Sequence, residues 1–343
     1  MEQKKVLLIG FGNVARALAR LLETKQEILK AQYGFSTRVV GIGTAHHGMA
    51  LAPAGLDVEK ANALVTAGNS LDSLSTKPLP ASIFDLINAS GADVLFENSP
   101  VNHLTGQPAI DHLHCGLECG MHAITANKGP VVHAYRELTD LASSKNRRFL
   151  FESAVMDGAP IFSLFRGPLP AVEVKSFRGI LNSTTNLILE MMENGKSFDE
   201  AVSYAQSIGM AETDPSGDID GWDASIKVAA LATVIMGIPL KPDQVDRTGI
   251  RGITSTMIQD ALKAGERWKL ICSATRDGSG LLTKVAPEQV SAATPFYSIN
   301  GTSSYVQFET DTLPGLGIVE SNPSPITTAY GLLADLINAV RNG

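Results

Sequence analysis

Apolar residues in the first 150 positions come as short continuous runs separated by stretches with helical spacing. The runs at 6–9, 38–42, 93–96, 122–125 and 148–152 read as strands. Between them, residues 14–23, a segment opening near Pro108, and residues 134–143 repeat apolar positions every three or four residues, as amphipathic helices do. Short apolar runs without alternation fit strands covered on both faces. Their alternation with helices predicts βαβ units in a Rossmann-type doubly wound parallel sheet. Residues 43–81 are rich in Gly, Ala, Ser and Pro, and only 58–67 carries a helical pattern there.

The pattern changes after Ser153. Residues 172–181 read as a strand, and 184–194 and 198–208 as helices parted by Gly195. An acidic loop at 212–220 precedes a helix at 222–236 that is apolar on every side. Strand patterns return at 268–275, 282–285, 305–308 and 317–319, and a helix over 328–340 ends the chain. This looser order predicts an α+β second domain. A chain of 343 residues also exceeds one ordinary core, which points the same way.

Gly10-Phe11-Gly12-Asn13-Val14-Ala15 follows the first predicted strand and opens the first predicted helix. This is the G-x-G-x-x-A form of the dinucleotide fingerprint. Gly10 permits the turn, Gly12 lets backbone approach a pyrophosphate, and Ala15 allows close packing of helix on strand. The helix N-terminus offers free N–H groups to the phosphates. A glycine-rich turn without a ligand is the bland alternative, and its place directly after an N-terminal strand weighs against it. The second strand ends Val40-Gly41-Ile42-Gly43-Thr44-Ala45-His46-His47, without the acid that usually binds the adenosine ribose. Thr44 and the two histidines point to NADP or dual use, with NAD left open.

The formal net charge of −7 argues against nucleic acid or an anionic membrane as partner and for a small-molecule ligand. No apolar run reaches the ~20 residues that span a bilayer. Three cysteines, Cys115, Cys119 and Cys272, are too few and too odd in number for a disulfide framework, so a reducing, cytoplasmic setting is expected.

The densest chemistry lies between Gly209 and Lys227, where Glu212, Asp214, Asp218, Asp220 and Asp223 precede a single lysine. Asp223 and Lys227 are spaced i, i+4, which on an exposed helix would be a weak surface pair. Here the helix is apolar all round and therefore buried, so its lysine must be paired or reach a cleft. Charged groups at the edge of an apolar core are functional candidates. The segment is not a calcium loop, because the twelfth position falls on Lys227 instead of Glu. Lys128, in Thr125-Ala126-Asn127-Lys128, follows a strand at the sheet end where ligands bind in such folds. Asn98 and Ser99 follow another strand. Asn182 precedes a helix and can cap it. His112, Cys115 and Cys119 share a helical face, but no fourth ligand stands at metal spacing, so a part-buried face is expected there.

Taken together, these segments resemble the homoserine dehydrogenase family over nearly the whole chain. The resemblance rests on Gly10 to Ala15, Thr125 to Pro130, Phe151 to Val155, Gly179 to Asn186, Glu212 to Pro215, Asp218 to Lys227 and Thr328 to Asp335. It implies reversible NAD(P)H-dependent reduction of L-aspartate 4-semialdehyde to L-homoserine, a step toward threonine and methionine. It implies Lys227 as the acid/base group, Asp218 beside the reacting oxygen and Lys128 as a second active-site lysine. Glu212 would hold the α-ammonium, with Asp223 and Thr184 also at the substrate. Gly10, Gly12, Asn13, Val14, Thr44, Asn98, Ser99, Lys128 and Tyr330 would meet the cofactor.

The resemblance further implies a Na+ or K+ site made by Glu152 and the carbonyls of Val155, Asp157 and Ala159. Met156, Asp157 and Ser183 depart from the family's glycine-rich pattern. A cofactor domain over 1–152, with residues from about 322 to 343 packing back onto it, would precede a substrate and dimerisation domain over 153–321. A homodimer or homotetramer follows, as a short form without kinase or regulatory domain and with weak or absent threonine feedback. Two other readings stay open. One is another amino-acid-linked NAD(P) oxidoreductase, such as an aspartate dehydrogenase-like protein. The other is a non-catalytic dinucleotide-binding protein.

Overall fold

The computed structural model describes residues 2–278 and 280–341. The chain divides into two compact units, residues 1–160 with 324–343, and residues 161–323. Residues 342 and 343 of the expected C-terminal segment lie outside the described residues.

The first unit is built on a six-stranded sheet of β1 (Glu2–Ile9), β2 (Phe35–Gly43), β3 (Met49–Leu51), β4 (Val94–Glu97), β5 (His122–Thr125) and β6 (Phe149–Leu150). The order is β3-β2-β1-β4-β5-β6. All neighbours are parallel except β2 and β3. β4 and β5 are buried throughout, and β1 from Val6 to Ile9, as a sheet covered on both faces requires. The helix α1 (Asn13–Thr24) buries Ala15, Leu18, Ala19, Leu21 and Leu22, and the C-terminal helix Pro325–Arg341 packs beside it. Ala329, Leu332, Leu333, Leu336 and Ala339 thereby complete the core begun by β1.

Three features depart from the pattern-based reading. Antiparallel β3 lies in the 43–81 stretch, too short and too mixed to show alternation. Helix Ile83–Ser90 is capped by Ser82, whose hydroxyl accepts from Asp85 N, a start signal the composition obscured. Residues 151–152 leave the strand, because Glu152 N donates to the buried Asp335 carboxylate at 2.6 Å. The Ser153 hydroxyl then donates to Thr328 O at 2.7 Å. These two bonds fasten 151–160 to the C-terminal helix, so the first unit runs past residue 152 to Pro160.

The second unit is a mostly antiparallel sheet of β7 (Val174–Ile180), β8 (Asp246–Arg247), β9 (Glu266–Asp277), β10 (Gly280–Ser291), β11 (Ser304–Thr310) and β12 (Leu316–Glu320). The order is β12-β11-β7-β9-β10-β8. Helices Ser183–Glu193, Trp222–Val234 and Ser255–Lys263 pack on β9. The last of these has no counterpart in the sequence reading. Helix 222–234 buries Ala224, Ser225, Ile226 and the whole run from Val228 to Thr233, as its all-round apolar pattern predicts. On the sheet, Leu282, Thr275, Ser176 and Glu309 form one cross-strand row. Leu282 and Val319 are more than half exposed.

One charge lies deep in this unit. Lys269, on β9, is wholly buried, and its Nζ donates to Asn186 Oδ1 at 2.8 Å and Ile299 O at 2.6 Å. Burial, helped by Arg267, pushes its pKa down to about 8. Between that value and the ordinary 10.5 the unfolded chain binds the proton more tightly, so stability rises with pH there. Urea unfolding of wild type and Lys269→Met should show wild type gaining about 2 kcal/mol on the variant between pH 7.5 and 10. A difference that stays constant with pH would refute this.

Candidate active site

In the second unit the site grows from the start of helix 183–193. Asn182 caps that helix, its Oδ1 accepting from Thr185 N at 2.8 Å. Its amide Nδ2 then donates to two carboxylates, Asp218 Oδ1 at 2.7 Å and Asp223 Oδ2 at 3.0 Å. Asp223 and Lys227 lie one turn apart on helix 222–234, with Nζ 3.2 Å from Asp223 Oδ2. Lys227 also donates to Leu181 O at 2.6 Å. Thus Asp218, Asp223, Asn182 and Lys227 converge, and each charged member is largely shielded from solvent.

Shielding sets the electrostatics. Burial first, and the charge of Asp223 second, raise the Asp218 pKa to about 6. Asn182, Lys227 and Thr184 oppose the rise. Buried Cys272 has its thiol pushed up to about 12 by burial.

Asp218 lies in the helical turn Ser216–Ile219 within the expected acidic loop, and the residue after that turn is held from outside. Asp220 accepts from Arg251 Nε and, at 3.2 Å, from Arg251 Nη2, while Arg247 donates to Asp220 O. The Arg247 guanidinium stacks 3.7 Å over the Trp222 ring. Asp220 is therefore bracing, and Asp218 is left to face Asn182. Glu212 is exposed, and its carbonyl accepts from Gln206. The Thr184 hydroxyl donates to Met210 O at 3.1 Å. The pattern-based reading missed Asn182 as more than a cap, and missed both arginines and the Leu181 carbonyl. Only Asn182 carried a local signal, its position before a helix.

In the first unit the fingerprint lies where β1 ends. Gly10 takes a φ of 83°, and a Cβ there would lie 2.4 Å from Asn98 O, so only glycine fits. Gly12 has open space above it and begins α1 without a side-chain cap. Free N–H groups and unobstructed backbone suit a pyrophosphate. Asn98 Nδ2 and Oδ1, Ser99 Oγ and His47 Nδ1 are buried without hydrogen-bond partners. Buried polar atoms are rarely left so, and a ligand with hydroxyl and phosphate groups would satisfy them.

Asn13 and Val14 open α1, with Asn13 Oδ1 accepting from Arg16 at 2.7 Å. Thr44 Oγ1 donates to Gly48 O at 2.9 Å within its own turn. Lys128 is the first residue of helix Lys128–His133, capped by Asn127, and not part of a loop. Tyr330 is 56 % exposed on the C-terminal helix.

The expected cation segment is also in this unit. Glu152 is buried, and Val155 lies in the single turn Ser153–Met156. Asp157 takes a φ of 37°, a conformation favouring glycine, while its Oδ2 accepts from Thr327 Oγ1 at 3.0 Å. The departure from a glycine-rich pattern is thus offset by a side-chain bond. Ala159 N donates to Met156 O. Among the described residues, no group of three or more His, Cys, Asp or Glu side chains could hold a metal ion. His112 Nδ1 faces Glu97, whereas the thiols of Cys115 and Cys119 face Asn88.

A fingerprint-bearing doubly wound unit, joined in one chain to a lysine–carboxylate cluster, defines an NAD(P)-dependent oxidoreductase. Known proteins make the assignment finer. The family model "Homoserine dehydrogenase" matches residues 160–337, and "Homoserine dehydrogenase, NAD binding domain" matches 10–152. The chain is 36 % identical to a homoserine dehydrogenase of Methanocaldococcus jannaschii, over 97 % of each chain. It is 34 % identical to an NAD(+)-dependent homoserine dehydrogenase of Pseudomonas canavaninivorans, over 98 % of this chain and 96 % of that one. A crystal structure of a putative homoserine dehydrogenase from Archaeoglobus fulgidus matches with a TM-score of 0.85 and 28 % identity over 98 % of each chain. A hyperthermophilic archaeal homoserine dehydrogenase in complex with NADPH matches with a TM-score of 0.84 and 27 % identity, over 99 % of this chain and 98 % of that one. The chain belongs to the homoserine dehydrogenase family.

The raised pKa of Asp218 gives a stability prediction. A carboxyl whose folded pKa is raised costs stability once ionised, so the cost grows as pH rises from about 4 through 6. Asp218→Asn keeps the bond from Asn182 and removes the charge. It should gain about 1–2 kcal/mol in denaturant unfolding at pH 8, and the gain should vanish near pH 4. No gain at pH 8 would show that the burial cost is met elsewhere.

Proposed function

We propose that this chain interconverts L-aspartate 4-semialdehyde and L-homoserine, with Lys227 as the proton donor and acceptor at the reacting oxygen. The convergence of Lys227, Asp223 and Asp218 carries this reading, in a chain whose relatives bear that activity in their names. When bound, NAD(P)H supplies the hydride. Lys227 holds a proton for the alkoxide oxygen, and its bonds to Leu181 O and Asp223 Oδ2 aim the ammonium. Asp218 faces the same oxygen, Glu212 takes the substrate ammonium, and Thr184 with nearby backbone takes its carboxylate. Lys128 serves as the second active-site lysine. Gly10, Gly12, Asn13, Val14, Thr44, Asn98, Ser99, Lys128 and Tyr330 make up the cofactor contacts.

We further propose NADP over NAD as cofactor. Support comes from the absence of an acid at the end of β2 and from His46 and His47 beside Thr44, where His47 Nδ1 is unpartnered. The cation reading, Na+ or K+ at Glu152 with the carbonyls of Val155, Asp157 and Ala159, is supported by buried Glu152 in an all-oxygen set. A homodimer, alone or paired into a tetramer, would use the second-unit sheet face that leaves Leu282 and Val319 exposed. Three free cysteines fit a cytoplasmic setting. No described helix is long and apolar enough to cross a membrane.

Homoserine oxidation followed by cofactor absorbance tests the central reading. Lys227→Ala should lose about 10²–10⁴ in kcat, the range of a general acid–base group. Turnover that survives in a folded variant would remove Lys227 from the chemistry, and turnover of aspartate in place of homoserine would favour the other oxidoreductase reading. In the same assay kcat/KM should be higher with NADP than with NAD, and His47→Ala should narrow the ratio. A higher value with NAD would overturn the preference. Glu152→Gln should weaken any activation by K+ or Na+, and light scattering should give twice or four times the chain mass, falling with Leu282→Asp. A cation response unchanged in the variant, or a monomeric wild type, would refute the corresponding reading.

A further inference from the structure

Glu97 is the last residue of β4 and is wholly buried. Its Oε1 accepts from Ser99 N at 3.1 Å and lies 3.3 Å from His112 Nδ1, itself buried. Its Oε2 lies 3.5 Å from Thr125 Oγ1 at the end of β5. Thr125 Oγ1 donates to Glu97 O at 2.8 Å and accepts from Asn127 N at 2.9 Å. Asn127 then ties the two strand ends together, with Nδ2 donating to Ser99 O at 3.1 Å and Oδ1 accepting from Gly129 N at 2.9 Å. Glu97 therefore stands behind both loops, its carboxylate behind the Asn98–Ser99 turn and its carbonyl, through Thr125 Oγ1, behind the start of the helix that carries Lys128.

A buried carboxylate is a costly way to end a strand. Among the described residues no lysine or arginine pairs with it, and the one ring nitrogen beside it is His112 Nδ1. A neutral side chain could fill the space at lower cost. What a carboxylate adds is several acceptor sites, which let one group accept from the Ser99 backbone and face His112 together. The loop it holds is the one whose Asn98 amide and Ser99 hydroxyl are buried and unsatisfied. Keeping such groups unpaired and aimed requires support from behind.

We infer that Glu97, with His112 and Thr125, is a positioning residue for dinucleotide binding: it holds the Asn98–Ser99 turn and the Asn127–Lys128 helix start in binding geometry before the cofactor arrives. This rests on the cofactor contacts proposed above. Neither Glu97 nor His112 touches the cofactor in this account.

The test is fluorescence titration of the full-length protein with NADPH, and with NADH in parallel, beside steady-state kinetics. Glu97→Ala should weaken dinucleotide binding at least tenfold and raise the cofactor KM by a similar factor, with the homoserine KM within twofold. Glu97→Gln, whose amide oxygen can still accept from Ser99 N, should stay within about threefold of wild type. Thr125→Val, nearly isosteric, provides a second variant if Glu97→Ala does not fold, and should also weaken binding. A purely structural residue would lower the melting temperature and leave the cofactor constants of the folded variant unchanged. Unchanged constants in folded Glu97→Ala or Thr125→Val would overturn the inference while leaving the cofactor reading intact. A wild type that binds neither dinucleotide would overturn both.

Discussion

The second unit depends on how charge is kept at the edge of an apolar helix. Helix 222–234 is buried along most of its length, so Asp223 and Lys227 cannot be solvated as surface groups would be. Asn182 resolves this by presenting one amide nitrogen to Asp218 and Asp223 together, while the Leu181 carbonyl and Asp223 receive the lysine. Burial disfavours the charged carboxylate and the charge of Asp223 adds to it, which is why the Asp218 pKa is raised to about 6. The strain is electrostatic and local. The buried charge that costs the unit stability lies among the residues proposed to act at the reacting oxygen.

The first unit solves a related problem with a different balance. At the carboxyl ends of β4 and β5, Glu97, Thr125 and Asn127 form a continuous hydrogen-bond chain beneath a turn of unsatisfied groups. Parallel strands bring the loops that follow their carboxyl ends to one edge, so the candidate binding groups after β1, β4 and β5 assemble there. Polar atoms left open there are preorganised by polar atoms fully satisfied just below.

Legibility in the sequence followed the physics of each element. β1, β4 and β5 were plain because buried parallel strands are continuous apolar runs. Helix 222–234 was plain because its pattern leaves no polar face. The three residues of β3 carry too few positions for any period to show. Helix 83–90 and helix 255–263 are short and rely on Ser82 and Thr254 caps that resemble ordinary loop residues. The end of the first unit was displaced because Glu152 and Ser153 bond to residues some 180 positions away, and no local signal reports that.

The sequence by itself determined the fingerprint and the i, i+4 pairing of Asp223 with Lys227, because each rests on spacing within a dozen residues, and the two-part organisation, because the pattern changes after Ser153. Only the tertiary structure decided where each of five nearby acids lies. Asp220 is turned outward to Arg251, Glu212 faces solvent, and Asp218 is drawn to Asn182, 36 residues earlier in the chain. It also decided that Glu97, unremarkable in an apolar run, lies behind two loops at once. Contacts of that kind depend on which strand ends the sheet order brings together, and side-chain spacing along the chain carries no record of them.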